Sequence, residues 1–136
     1  MATSFRVEVL TPEGSCFDDE VEMVSTRTQI GSIGIMARHQ PLLGQLEPTE
    51  LRLYRSDSDI VTYAQGEGYI QVSREGVLVL VEEAHPPGDL DVADLREKLG
   101  KSEDALAGAE EGTEERRRAA RDKRRWEAFI RIAESG

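Results

Sequence analysis

Cysteine is nearly absent from this chain of 136 residues, and its one example, Cys16, has no partner with which to close an internal disulfide. Beside Phe17 in a strand-like stretch, Cys16 reads as a buried structural cysteine. Histidine is almost as scarce, with only His39 and His85. Neither stands near a nucleophile in sequence, and no set of Cys and His has metal-ligand spacing, so no catalytic constellation and no metal site are expected. Gly31-Ser32-Ile33-Gly34 lacks the Lys-Ser or Lys-Thr of a phosphate-binding loop and leads into no helical pattern; glycines at a strand bend explain it better. Long apolar runs are missing too: the longest is Val77 to Val81, far short of the roughly 20 residues of a membrane span. The opening Met1-Ala2-Thr3-Ser4-Phe5-Arg6 passes directly into strand alternation, and no secretory signal is expected.

What the chain does have is acidic charge, unevenly placed. Residues 1–113 carry 9 Lys and Arg against 22 Asp and Glu, a net of −13, whereas residues 114–136 carry 8 against 5, a net of +3. An acidic body repels nucleic acid and anionic lipid, so a basic tail should seek an acidic protein surface.

From Phe5 to Glu83 apolar and polar residues alternate in short runs separated by turn residues, the pattern of an all-β sandwich or barrel with one wet face per strand. Phe5, Val7 and Val9 alternate with Arg6 and Glu8; Val21 and Met23 with Glu20 and Glu22; Leu51 and Leu53 flank Arg52; Ile70 and Val72 flank Gln71. Val77-Leu78-Val79-Leu80-Val81 is apolar on both faces, which predicts a central strand with its second face covered, the tail helices being available for that role. Turns are expected at Thr11 to Gly14, Ser56 to Asp59 and Arg74 to Gly76.

The pattern breaks at His85-Pro86-Pro87-Gly88, since prolines cannot extend a ladder. The organisation expected is an all-β sandwich over 1–84, a linker over 85–88 and an α-helical hairpin over 89–136. Asp89 or Asp91 can cap a first helix in which Val92, Leu95, Leu99, Ser102, Leu106 and Ala109 form a heptad-like stripe. Gly100 and Gly108 each cost it about 1 kcal/mol relative to alanine, which makes a marginal and movable arm. Glu110-Glu111-Gly112 reads as the hairpin turn, and Thr113 can cap a second helix opened by Glu114 and Glu115 and running to about Glu134. Its apolar face is confined to Trp126, Phe129, Ile130 and Ala133; with Leu95, Leu99 and Leu106 these are the expected docking residues of the hairpin. Arg116, Arg117, Arg118, Arg121, Lys123, Arg124 and Arg125 dominate the preceding turns. The plain account of that basic run is a solvated face with ion pairs at helical spacing: Glu114 with Arg117 and Arg118, Asp122 with Arg125, Glu127 with Arg131.

The segment Gly31-Ser32-Ile33-Gly34-Ile35-Met36-Ala37-Arg38-His39-Gln40-Pro41-Leu42-Leu43 resembles the epsilon-subunit family of bacterial F-type ATP synthases, in which Gly-Glu-Leu-Gly-Ile is followed after a few residues by His-x-Pro-Leu-Leu. Val9-Leu10-Thr11-Pro12 with Phe17, and Gly66-Glu67-Gly68-Tyr69-Ile70-Gln71-Val72 ahead of Val77, fall in that family's order. With the helical tail, the resemblance covers nearly the whole chain.

The resemblance implies a non-catalytic rotor subunit of the central stalk, peripheral on the cytoplasmic face of the bacterial plasma membrane and not inserted in the bilayer. It would couple proton translocation to ATP synthesis and restrain ATP hydrolysis through its helices. Its implied partners are the gamma subunit, the membrane ring of c subunits and, through the second helix, the alpha/beta catalytic head; nucleic acid is not among them. Gln29, Ser32, Arg38, His39, Pro41 and Leu42 are the implied gamma and ring contacts, with His39 equally able to satisfy a loop carbonyl. Ser32 stands where the family often has an acidic residue, so a charge contact with the ring does not carry over. Arg116, Arg117, Arg118, Arg121, Lys123, Arg124 and Arg125 are the implied inhibitory cations. No cofactor is expected: some members bind ATP through an Ile or Leu, Asp, two residues, Arg, Ala motif, and in Leu90-Asp91-Val92-Ala93-Asp94-Leu95 the arginine position holds Asp94, which opposes phosphate. The competing class is a free-standing adaptor using the sandwich for one protein and the hairpin for another.

Overall fold

The computed structural model describes residues 3–135; Met1, Ala2 and Gly136, assigned above to the ends of the two domains, lie outside them. The chain forms two compact units, Met1–Pro86 and Pro87–Gly136.

Ten strands make the first unit: β1 (Phe5–Thr11), β2 (Gly14–Val21), β3 (Met23–Thr28), β4 (Gly31–Met36), β5 (Leu42–Leu46), β6 (Thr49–Tyr54), β7 (Ile60–Gln65), β8 (Gly68–Ser73), β9 (Gly76–Val81) and β10 (Ala84–His85). One run of neighbours is β2-β1-β9-β8-β5 and another is β10-β7-β6-β3-β4, joined where Thr28 of β3 pairs with Leu46 of β5. Val7, Val9, Val21, Ile70, Val79, Val24, Ile35, Leu51 and Leu53 are drawn from both runs and meet in a single buried cluster, so the inner faces form a sandwich core. Each such side chain removed from water stabilises the fold by about 1.5–3 kcal/mol.

Three hairpins share one turn chemistry. In Thr11-Pro12-Glu13-Gly14, Thr28-Gln29-Ile30-Gly31 and Ser73-Arg74-Glu75-Gly76 the first hydroxyl donates to the glycine carbonyl and accepts from the amide two residues on. The glycines lie at φ 122°, 133° and 135°, where a side chain would be strained. The middle turn carries the same Thr/Ser-x-x-Gly signal as its neighbours, although it is not among the turns expected from the sequence. Elsewhere a Cβ on Gly68 would stand 1.8 Å from the Leu80 carbonyl oxygen, so β8 approaches β9 more closely than any side chain allows.

The structure corrects two expectations for this unit. Val21 and Met23 do not share one inward face: the strand breaks at Glu22, whose amide donates to the Tyr54 carbonyl at 2.7 Å, and inward parity passes to Val24, which is fully buried. Cys16 is exposed, because on β2 it alternates with the inward Phe17; its carbonyl accepts the Tyr63 hydroxyl at 3.0 Å, and what burial its thiol has pushes the pKa up. The strand of Val77 to Val81 is central, as expected, between β8 and parallel β1.

Gln65 is fully buried, where an unpaired amide is costly. It accepts from the Thr26 hydroxyl at 2.8 Å and donates to the Glu47 carbonyl at 3.0 Å, tying β7 to β3 and to the β5–β6 turn.

The second unit opens with a short 3₁₀ turn, Pro87–Asp89, and continues as α1 (Val92–Gly108) and α2 (Glu114–Ser135). Asp91 caps α1 by accepting the Asp94 amide at 3.2 Å, and Thr113 caps α2 by accepting that of Arg116 at 3.2 Å. On α1 the expected stripe is the covered one: Leu95 and Ser102 are buried, and Val92, Leu99, Leu106 and Ala109 half-buried. On α2 burial is broader than expected, taking in Ala119, Ala128, Phe129, Ile130 and Ile132, with Trp126 and Ala133 half-buried. Among the described residues, no helix is long and apolar enough to cross a membrane.

Candidate functional site

The six candidate contact residues of the sandwich fall at opposite ends of it. Gln29 lies in the β3–β4 turn and Ser32 one residue into β4, opposite Arg27. That end is closed by the Gln29 amide donating to the Gln45 carbonyl at 3.0 Å. At its tip Ile30 is 97% exposed, an apolar side chain held out by the most tightly specified part of the hairpin. Sequence reasoning passed over Ile30 because an isolated isoleucine between polar turn residues carries no periodic signal; recognising the Thr28-x-x-Gly31 turn would have placed it at the tip.

Arg38, His39, Pro41 and the start of β5 at Leu42 sit at the far end of β4, a six-residue strand that separates the two sets by about 17 Å. There Arg38 adopts φ 66°, in the left-handed region although it is not glycine. The His39 amide donates to the Met36 carbonyl at 3.2 Å, closing the turn. His39 Nδ1–H donates to the Gln40 carbonyl at 2.8 Å, so this histidine does satisfy a loop carbonyl while its exposed ring keeps the second nitrogen outward. An open cleft of about 710 Å³ lies against this loop, floored by Ile35, Val72 and Val77 and rimmed by Arg38, His39, Arg74 and Glu75.

A third surface joins the two ends. The register places Leu43, Tyr69, Leu78, Leu80 and Leu10 on the outer face of β5-β8-β9-β1, and Leu43, Tyr69 and Leu80 are 74%, 53% and 43% exposed. Isolated exposed apolar residues are ordinary; several gathered on one sheet face make it a candidate docking surface.

In the hairpin, most of the candidate cations already have partners. Arg116 Nη1 donates to the Leu106 and Ala109 carbonyls at 3.0 and 3.2 Å, closing the C-terminal end of α1 from α2. Arg117 and Arg121 both reach Glu114, and together they hold its carboxyl below the usual range. Glu114 therefore pairs with Arg121 in addition to Arg117, where the sequence suggested Arg118. Arg125 pairs with Asp122 at 3.0 Å and lies over Trp126. Arg118 and Arg124 are exposed and Lys123 half-buried. Asp94 ion-pairs with Lys98 at 3.1 Å, so the position examined for phosphate binding carries a negative charge already engaged. No group of three or more metal-ligating side chains that could hold an ion occurs among the described residues.

A ten-stranded β unit followed by a helical pair is the architecture of the described residues, and the comparisons say to which family it belongs. Residues 4–87 match the family of the ATP synthase Delta/Epsilon chain, beta-sandwich domain. ATP synthase epsilon chains of Halalkalibacterium halodurans and Alkaliphilus oremlandii are each 33% identical to this chain, over 90% of it and 91% of the first relative and over 81% of both for the second. The chain belongs to the ATP synthase epsilon-chain family, whose members are non-catalytic stalk subunits of that complex. The fold is shared with a chain of the Euglena gracilis mitochondrial ATP synthase, in a structure of OSCP, F1 and c-ring, at a TM-score of 0.80 and 19% identity over 95% of this chain and 81% of that one. A chain from the Tetrahymena thermophila central stalk and c-ring gives 0.59 at 15% identity, covering 98% and 96%. The unrelated adaptor is set aside by this membership.

Proposed function

We propose that this chain turns as part of the central stalk on the cytoplasmic face of a bacterial plasma membrane, with its two sandwich ends serving two different partners. The turn of Gln29, Ile30 and Ser32 meets the c-subunit ring, through an apolar tip and hydrogen bonds in place of charge. The loop of Arg38, His39, Pro41 and Leu42 meets gamma. The observation that carries this division is the placement of the two sets at opposite ends of one strand, β4. Arg38 at φ 66° supports it, since strain of this kind persists where the surroundings, or a partner, require that geometry.

A rotor element must pass torque without deforming, and a close-packed sandwich tied by the buried Thr26–Gln65–Glu47 network suits that work. The hairpin is the regulatory part. With α1 and α2 closed on each other, Arg116, Arg117, Arg121 and Arg125 are held by carbonyls and carboxylates of their own unit. Opening breaks the Arg116 bonds to the end of α1, while Glu114 and Asp122 stay with their own helix, and carries the basic face of α2 toward acidic surface on the alpha/beta head, where a charged helix beside the stalk obstructs rotation.

The test is ATP hydrolysis by the reconstituted head and gamma with either the full chain or a version ending at Pro87. The expected result is that both bind gamma and only the full chain lowers the rate. Failure of both to bind gamma refutes the stalk reading; equal rates with both bound refute the brake and leave coupling alone.

A further inference from the structure

The hairpin holds a group of contacts that neither family membership nor the docking surfaces account for. Trp126, the one tryptophan of the chain, lies on α2, half-buried. From α1, Lys98 brings its ammonium to 5.0 Å from the indole centroid, and Asp94, one turn earlier, holds that ammonium at 3.1 Å. A second cation, Arg125, lies 4.1 Å from the same centroid and is fixed by Asp122 at 3.0 Å. Phe129 meets the indole edge-on, at 6.1 Å between centroids and 73° between planes. Farther along, Arg96 of α1 pairs with Glu134 of α2.

Of these, only Lys98 on Trp126 and Arg96 with Glu134 cross from one helix to the other, and both lie toward the ends remote from the Gly112 turn. That is where a hairpin begins to part. Apolar packing across the pair is thin on the α1 side, where Leu95 is the one fully covered aliphatic, and Gly100 and Gly108 weaken the helix. Charge therefore decides a larger share of closure than it does in a helix pair sealed by leucine.

We infer that the closed hairpin is latched by Lys98 on Trp126, with Asp94 as the positioning residue for Lys98, and that ionic strength sets how often the latch opens. The Asp94–Lys98 pair is about half exposed on both sides and is screened by salt, whose Debye length falls from about 10 Å at 0.1 M to about 3 Å at 1 M. Screening frees Lys98 from Asp94, the ammonium spends less time over the ring, and α1 parts from α2 more often. This stands on contacts within the hairpin and not on the proposed function; its consequence for the rotor, a salt-dependent exposure of the basic helix α2, does rest on that reading.

The experiment uses the isolated full chain, so its outcome is independent of any ATP synthase assay. Acrylamide quenching of Trp126 and amide exchange along Leu95 to Leu106 are measured at about 50 and about 500 mM salt, for the wild type and for Lys98→Met, Lys98→Arg and Asp94→Asn. Lys98→Met keeps the apolar stem and is expected to raise α1 exchange by about twofold to fivefold at low salt, the range of a half-exposed cation–π contact. Lys98→Arg should restore wild-type exchange. Asp94→Asn should behave as the wild type does at high salt, and salt should change Lys98→Met little. Quenching that rises without faster α1 exchange means that Lys98 merely covers the ring, and overturns the latch. So does wild-type exchange in Lys98→Met, or an equal salt response in wild type and Lys98→Met. If Lys98→Met loses its helical signal, Asp94→Asn decides the matter by the same two readouts.

Discussion

Arg116 offers a direct test of how the hairpin is held. Its guanidinium leaves α2 to donate to the Leu106 and Ala109 carbonyls at 3.0 and 3.2 Å, which the end of α1 leaves without intrahelical partners. Arg116→Met keeps most of the aliphatic bulk and removes both bonds. Hydrogen bonds to a charged group contribute about 1.5–3 kcal/mol each when buried, but this side chain is half-exposed and water can reach the carbonyls, so the pair is discounted to about 1–2 kcal/mol in total. That is about 5- to 30-fold in the opening equilibrium. Arg117 serves as the internal control: it is exposed, and its contacts with Glu114 and the Gly112 carbonyl do not reach α1 and are screened by solvent, so Arg117→Met should shift opening by no more than about twofold. Amide exchange of the segment Glu103 to Arg118 in the full chain reads both. Equal effects of the two substitutions would show that closure depends on net charge and not on the bridging geometry of Arg116, and the argument would fail.

Two further outcomes follow from single contacts. Gly68→Ala places a methyl against the Leu80 carbonyl and the Val81 backbone, which β8 and β9 can relieve only by separating; it should cost about 3 kcal/mol or more in urea unfolding of the sandwich, while Gly88→Ala, with open space around it, should cost little. Glu114 has a folded-state pKa below its ordinary 4.5, first through hydrogen bonds from Arg117 and Arg121; its contribution to the first turns of α2 is therefore present above that ordinary value and lost as pH falls through the lowered one. Helix content on acid titration should show this loss in the wild type, and Glu114→Gln should lessen it; an unchanged acid profile in Glu114→Gln would contradict the assignment.

Strand parity and the helix stripe were legible because both rest on local periodicity. Leu51, Leu53, Ile70, Val72 and Val79 are buried as alternation requires, and Asp91 and Thr113 cap the helices their positions imply. The misread positions have a different physical origin. At Glu22 the chain passes from one part of the sandwich to another and inward parity moves by one residue, which a period of two cannot register. Cys16 went astray for a related reason: intrinsic preference for burial was set above its alternation with Phe17, and on β2 alternation decides. The division of the candidate contacts between two ends was invisible because proximity in sequence was taken for proximity in space, whereas a strand between two short turns carries its ends as far apart as the sandwich allows.

The basic run on α2 shows why charge counting alone does not identify a binding surface. Seven cations suggest an arm ready to engage an acidic partner, yet in the closed hairpin Arg116 is committed to the end of α1, Arg117 and Arg121 to Glu114, and Arg125 to Asp122 and Trp126. An acidic surface must compete with these intramolecular partners, and of them only the Arg116 bonds to the end of α1 depend on closure, so access to Arg116 scales with the fraction of time the hairpin is open. Under the proposed brake, a contact that closes the hairpin weakens inhibition without touching the head, and one that opens it strengthens inhibition. Arg116→Met acts in two ways at once, removing one cation and loosening the hairpin that the proposed brake needs open. If opening limits inhibition, this variant should inhibit ATP hydrolysis more strongly than the wild type despite its lost charge; weaker inhibition would assign Arg116 itself to the contact with the head.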